Sequence, residues 1–301
     1  MEFSQLFYKI IYQKKLNYAL RNISYPIGKF LKKLRIPPSG ILQLKTNSGI
    51  IKIKTNQTSY LTQLLFWNGY EQFEYSKIFE ILTKDINVFL DIGSNIGYYS
   101  LLAVKANPNI SVYAFEPAIG PKYFLQQNIS LNNFEDNIKP IDLALSNQIG
   151  KIDFYEVESL KYKKLKYNLA GEGNAGTKKT SRNFIKNTVS ATTLKDFVKL
   201  KKLDKIDLIK IDTEGTEIDI LNYGIEVIRV HQPIVICETL FNTIEVELED
   251  FFKKLDYIFF NHTYQGLIEV KTIKRGKDNG IRNCFFVPKS KLNLISSFIV
   301  N

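Results

Sequence analysis

Between Asn87 and Glu238 the chain repeats one pattern: a short apolar run, a stretch with helical spacing, then another apolar run. "VFLDI", "SVYAFE", "IKPIDLAL", "IDLIKID" and "PIVICE" are the strand candidates. Between them, Ile96, Tyr99 and Ala103 share one helical face, and Ile218, Leu221, Ile225 and Ile228 share another. This alternation predicts an α/β fold, a seven-stranded and mostly parallel sheet with helices on both faces. Asn242, with Glu245 three residues on, predicts a capping box opening a further helix. The pattern then changes, because "YIFFN", "GLIEVK" and "NCFFVP" follow one another across polar turns without helices. That end of the chain is expected to form an antiparallel edge.

Residues 1–40 are read as a separate basic arm. Helical spacing over 5–35 predicts two pieces broken near Pro26, with "GKFLKKLR" presenting a basic face, and "PPSG" reads as a linker. Apolar and polar residues then alternate on either side of Asn47-Ser48-Gly49, which predicts a β-hairpin over 41–55. The domain proper is placed at 41–301, with its core at 60–290. The arm holds eight Lys and Arg against Glu2 alone, so seven of the eleven net positive charges lie within it. Such an arm suits nucleic acid, an anionic membrane surface or an acidic substrate.

No apolar run reaches the roughly 20 residues of a spanning helix, and charge interrupts the N-terminus too early for a secretion signal. A cytoplasmic location is expected, peripheral to the inner face of the membrane through the arm. Cys237 and Cys284 lack CxxC spacing and neighbouring histidines, so both are read as buried thiols.

In doubly wound sheets ligands collect beyond the carboxyl ends of the strands, beside the first glycine turn. Gly93 and Gly97 stand there, at G-x-x-x-G and not the G-x-G-x-x-G of dinucleotide folds, and Asp91 precedes them. A carboxylate there repels a pyrophosphate and favours a cation. S-adenosylmethionine carries an ammonium and a sulfonium. Glu116 ends the second strand, where an acid can accept hydrogen bonds from both ribose hydroxyls. Asp142 is placed to reach an adenine amino group or, equally, to serve as a turn residue.

Here "FLDIGSNIGYYSLLA", "VYAFEP", "LALSNQIG", "GNAG", "LIKIDTEGTEIDILNYG" and "PIVICE" resemble, in order, the signature segments of FkbM-type S-adenosylmethionine-dependent methyltransferases. The resemblance covers about residues 60–290 and is most specific at "KIDTEGTE". It implies a Rossmann-like class I fold and O-methylation of hydroxyls on sugars, other secondary metabolites or surface polymers. It carries the cofactor site onto Asp91, Gly93, Ser94, Asn95, Gly97 and Tyr98, onto Glu116 and Pro117, and onto Asp142, Ala144 and Leu145. Ser94 replaces the more usual alanine. "WNGYEQFE" resembles the segment before the first strand, with Glu71 at the acidic position.

Methyl transfer to oxygen is an in-line displacement governed by positioning, and an alcohol needs help to lose its proton. Asp212 and Glu238 end the fourth and fifth strands and Glu214 lies in the turn after the fourth, so the three should face one crevice. Asp212 is assigned to cofactor and substrate, and Glu214 to the general base. Lys210, on the same side of its strand as Asp212, is expected to pair with one of these acids. A Mg²⁺ ion on Asp212, Glu214 and Glu238 is chemically reasonable, although carboxylate clusters more often act without one. Asn174, Ala175 and Gly176 of "GNAG" are assigned to closing over the cofactor or the acceptor substrate, within a basic segment 158–190 read as a substrate loop. His262 is a reserve base. His231 stands at the wrong end of the sheet.

The leading function is O-methylation of a glycan or glycolipid precursor. Nucleic-acid methylation is prompted by the charge, but the fourth strand lacks the [DN]-P-P-[YFW] motif of base amino-methyltransferases. A NAD-dependent oxidoreductase is disfavoured by the glycine spacing. A non-catalytic scaffold sits poorly with retention of the strand-end acids.

Overall fold

A computed structural model describes residues 2–158, 160–162, 165–170 and 184–300. Its first residues form three helices, α1 (Glu2–Ile11), α2 (Lys14–Ile23) and α3 (Tyr25–Phe30). The breaks fall at Tyr12-Gln13 and Ser24, not at Pro26, which occupies the first turn of α3 where a missing N–H costs nothing. "PPSG" is no loose linker. The carbonyls of Pro37 and Ser39 accept hydrogen bonds from Asn17 Nδ2 (3.1 Å) and Arg21 Nη1 (3.0 Å).

The expected hairpin forms from β1 (Gly40–Thr46) and β2 (Gly49–Thr55). Its Ile51 and Ile53 enter the main core, and its outer edge is closed by amides. Asn128 and Asn132 accept from the backbone N–H groups of Lys54 and Lys52 at 2.6 and 2.8 Å, so this edge strand is not left open. Helices α4 (Tyr60–Asn68) and α5 (Ser76–Leu82) lead into the sheet.

From there β3 (Val88–Ile92), α6 (Tyr98–Ala106), β4 (Ser111–Phe115), α7 (Ile119–Asn132) and β5 (Ile138–Ile141) follow in right order for a doubly wound half. The chain next forms β6 (Ala144–Leu145), β7 (Gly150–Val157) and β8 (Phe184–Thr192), a separate sheet in the order β6-β8-β7. It returns through α8 (Leu194–Lys201), β9 (Leu208–Ile211), α9 (Glu217–Asn222), α10 (Ile225–His231), β10 (Ile234–Glu238) and α11 (Glu245–Lys253). It ends with β11 (Tyr257–Thr263), β12 (Gly266–Val270) and β13 (Asn283–Pro288).

The main sheet has eight strands, one more than expected, in the order β12-β11-β13-β10-β9-β3-β4-β5. The run from β10 to β5 is parallel, and the C-terminal strands make the antiparallel edge. Period-two alternation divides each strand between two layers. Phe89, Val112, Leu208 and Ile236 face α5, α6 and α7, while Leu90, Phe115, Ile209 and Val235 face α8 to α11. Cys237 and Cys284 are buried free thiols, as read.

Three local expectations change. "IKPIDLAL" is two strands in different sheets, parting at Asp142-Leu143. The helix expected over 216–228 is split at Gly224, where Leu194 of α8 packs too closely for a Cβ. No capping box forms at Asn242. Its φ is 57°, and the Glu245 carboxylate is taken by Arg275 Nε at 2.7 Å.

Candidate active site

The glycine turn after β3 is shaped by its neighbours. Gly93 has φ 73°, and a Cβ there would overlap the carbonyl oxygen of Asp212, so β9 approaches the turn as closely as backbone allows. The N–H groups of Gly93 and Ser94 donate to the Phe115 carbonyl of β4 at 3.1 and 2.9 Å. Asn95, also left-handed at φ 51°, then donates its N–H to Glu116 Oε2 at 2.8 Å. The N–H of Ala118 donates to Glu116 Oε1 at 2.9 Å. Glu116 is thus held from both sides at the strand end. Burial raises its carboxyl to about 7, against the pull of those two backbone donors.

The turn, the end of β4 and the end of β9 enclose a cleft of about 980 Å³, counting its open mouth. Gly93, Ser94, Asn95 and Tyr98 line its floor, and Glu116, Pro117, Ala144 and Leu145 line one end. Phe154 of β7 closes over that end. The other end is acidic, with Asp212, Glu214 and Glu74.

Lys210 organises the acidic end. Its ammonium lies 3.3 Å from Asp212 Oδ2, 3.8 Å from Asp91 Oδ1 and 3.3 Å from the Gly93 carbonyl. Burial opposes its charge, but Asp212, Asp91 and Glu74 outweigh that and hold its pKa above the usual lysine range. Ser100 donates to the other Asp91 oxygen at 2.6 Å. One carboxylate oxygen from each of Asp212, Glu214 and Glu238 lies within 4.8 Å of the other two. Burial, then Asp212, Glu214 and Glu217, push the Glu238 carboxyl up to about 9, so it keeps a proton at neutral pH. A deeper acid braces the turn: Glu217 Oε1 accepts from the N–H groups of Thr213 and Gly215.

Residues 91–265 match the family model of the methyltransferase FkbM domain, more than half of the chain. The chain belongs to the FkbM methyltransferase family. Relatives include methyltransferase sdnD of Sordaria araneosa, 28% identical over 174 residues, covering 50% of this chain and 67% of that one. The 2-O-methyltransferase NoeI of Sinorhizobium fredii is 24% identical over 168 residues, covering 50% of this chain and 63% of that one, less than two thirds of its length. An FkbM methyltransferase structure from Methylobacillus flagellatus superposes with a TM-score of 0.43 at 15% identity, covering 67% of this chain and 44% of that one.

For this FkbM methyltransferase the structure relocates several residues singled out in the sequence. Asp91 lies beneath the cleft, and the cation it meets is the Lys210 ammonium rather than a ligand. Gly97 also leaves the lining. It starts α6 at φ 87°, and the side chain of Leu125 occupies the space of its absent Cβ. Glu71 is exposed outside the cleft, 3.9 Å from Lys77, and Asp142 turns outward to Lys122 at 2.6 Å. Both follow elements whose inner positions go to neighbours, Phe73 and Glu74 in one case and Leu143 and Ala144 in the other. His262 lines a neighbouring cleft, with Tyr75 against its ring, and burial lowers its imidazole to about 4. Asn174, Ala175 and Gly176 lie outside the described residues, as does the middle of the expected substrate loop, 171–183. From 184 onward that loop is strand β8, and 160–162 form a short helical turn.

Among the cleft residues that escaped the sequence reading, Glu74 and Phe154 bear most on the site. Glu74, three positions after Glu71, has φ 42° and accepts a hydrogen bond from Tyr99 at 2.7 Å. Solvent reaches it along the cleft, yet desolvation by the surrounding walls raises its carboxyl above the usual range. No sequence pattern distinguishes it from Glu71, which lies in a short helical turn and pairs with Lys77. Phe154 was legible: "KIDFYEV" places Ile152 and Phe154 at strand spacing.

Proposed function

We propose that this chain is an S-adenosylmethionine-dependent O-methyltransferase acting on a hydroxyl of a sugar, glycan or glycolipid precursor. The observation that carries the reading is the division of one cleft into an apolar end with a single held acid and an end crowded with acids. Adenosine needs the first and a sulfonium with an ammonium needs the second. The residues also fit the cofactor in detail. Asn95 Oδ1 is buried without a partner inside the protein, and each oxygen of Glu116 keeps a lone pair beyond its one backbone donor.

When bound, S-adenosylmethionine supplies an electrophilic methyl group. Glu116 accepts from the ribose hydroxyls, while Pro117, Leu145 and Phe154 exclude water around the base. Asp212 and Glu74 face the positive end, and Lys210 fixes Asp212 from behind. Glu214 would take the proton of the acceptor hydroxyl, whose oxygen would receive the methyl group as the cofactor's sulfur left as a neutral thioether. Glu238, which keeps its proton, adds no further negative charge beside Asp212 and Glu214. The acceptor enters from the neighbouring cleft, which shares Glu74 and is lined by hydrogen-bonding side chains including Gln72, Thr263 and Asn283. The relative NoeI is named a 2-O-methyltransferase, which agrees with oxygen as the acceptor atom.

Titration calorimetry with S-adenosylmethionine, followed by labelling of fractionated cell extract, tests the reading. Cofactor binding with label in lipid or polysaccharide is expected. Absence of binding at millimolar cofactor in a folded protein refutes it. Asp212→Asn and Glu214→Gln should each lower turnover at least a hundredfold, on the scale of a lost acid–base group. A divalent cation on the three clustered carboxylates is the second reading, favoured by their close approach. Turnover that survives EDTA agrees with proton transfer by carboxylate alone. Turnover that EDTA abolishes and Mg²⁺ restores moves the assignment to the ion.

A further inference from the structure

The N-terminal arm is held firmly on one side and bare on the other. Tyr25 stacks on Trp67 with ring centroids 5.6 Å apart, Gly28 sits against the same indole with no room for a Cβ, and Arg35 Nε donates to the Gly28 carbonyl at 2.9 Å. Arg21 donates to the carbonyls of Ser39 and Ile41, both at 3.0 Å, which locks α2 to the hairpin. The opposite side presents large apolar residues to water. Phe30 is 87% exposed and Ile23 74%, with Ile27, Leu31 and Leu34 each at least half exposed. These residues are not waiting for this chain's own core, because the inward positions of α2 and α3, Arg21, Tyr25 and Gly28, are already seated.

Charge identifies the partner. Lys29, Lys32 and Lys33 are exposed among these apolar side chains. No Asp or Glu occurs between Glu2 and Glu71, a span that carries eleven Lys and Arg. A face that associated with its own copy would need acids to match its cations, and this region has none, so the counter-charge must come from another molecule. An apolar ridge set among lysines suits an interface where acyl chains lie beneath anionic headgroups.

We infer that the arm docks this chain onto an anionic lipid bilayer, with Phe30, Leu31 and Ile27 entering the headgroup layer and Lys29, Lys32 and Lys33 facing the lipid charges. The inference stands independently of the acceptor proposed above. If both hold, the docked enzyme meets glycolipid acceptors at the surface where they reside.

Co-sedimentation of the full chain with vesicles tests it. Binding to phosphatidylcholine vesicles containing phosphatidylglycerol is expected, with release by salt and little retention on phosphatidylcholine alone. Lys29→Gln, Lys32→Gln and Lys33→Gln together should weaken binding about a hundredfold, at roughly fivefold per lysine. Phe30→Ser with Leu31→Ser should weaken it at least tenfold even at low salt. Fluorescence of Trp67, the one tryptophan, reports whether the arm stays seated in each variant. Affinity for S-adenosylmethionine, read by calorimetry without vesicles, should be unchanged in both. Equal binding to neutral vesicles, no effect of the serine pair, or tighter binding to transfer RNA than to anionic vesicles at the same salt each overturns the proposal.

Discussion

The two ends of the cleft hold the same chemical group in opposite ways. At one end Glu116 is a lone buried carboxyl satisfied by two backbone N–H groups, and burial brings it near neutrality, at about 7. At the other, Asp212, Glu214 and Glu74 line the wall, Glu238 clusters with the first two from an adjoining pocket, and buried Lys210 lies between Asp212 and the deeper Asp91. Backbone donors suffice for one charge. Several charges need a cation, and even then one of them, Glu238, retains its proton. The difference separates a site that offers acceptors to neutral hydroxyls from one that holds negative potential for a positive ligand.

The largest break in that comparison comes from Lys210→Met. It leaves Asp91 buried without its counter-charge, so the fold should lose about 3–5 kcal/mol, measured as a lowered urea midpoint. The mirror change at the other end, Glu116→Gln, removes one acceptor and turns an amide N–H toward a backbone donor. It should cost about 1.5–3 kcal/mol of cofactor affinity, read by calorimetry as roughly a tenfold to hundredfold weaker Kd. Wild-type affinity should also fall as pH drops below about 7, since protonation spoils the Glu116 acceptor.

At the acidic end the response to pH is read in stability instead of affinity. The Glu238 carboxyl rises from its ordinary 4.5 to about 9, so between those values the folded chain keeps a proton that the unfolded chain has released. Its contribution to stability is full below the ordinary value and is lost as pH rises through the folded one. Glu238→Gln should therefore flatten the decline of stability across that window, which urea melts at successive pH values would show. The smallest effects belong to Glu71→Gln and Asp142→Asn, both exposed and paired only with surface lysines. Each should alter stability by no more than about 0.5 kcal/mol and leave cofactor affinity unchanged. A tenfold loss of affinity in either would return it to the site.

Legibility followed the range of the forces involved. The parallel strands, the glycine turn, Glu116 and the order of the acids are local patterns, and each was legible because a strand end or a turn leaves its mark within a few residues. Asp91 shows where this stops. Its place before the turn was clear, but its partner, Lys210, lies 119 positions away and meets it only because β3 and β9 run side by side in register. Glu74 is the converse case, since Glu71 three positions earlier has the same side chain, and only Glu74 turns to the cleft, at φ 42° and bonded to Tyr99. The second sheet was missed because β6 is two residues long and gains its meaning only from β8, which arrives after the segment at 171–183.

By itself the sequence determined the α/β class, the family and the presence of acids at the strand ends, because period and turn chemistry act over short stretches of chain. Only the tertiary structure decided which acids share the cleft, which is neutralised by a buried lysine, which keeps its proton, and which face of the arm is left bare. Those outcomes depend on burial and on charges brought together from distant parts of the chain, and neither quantity exists until the chain has folded.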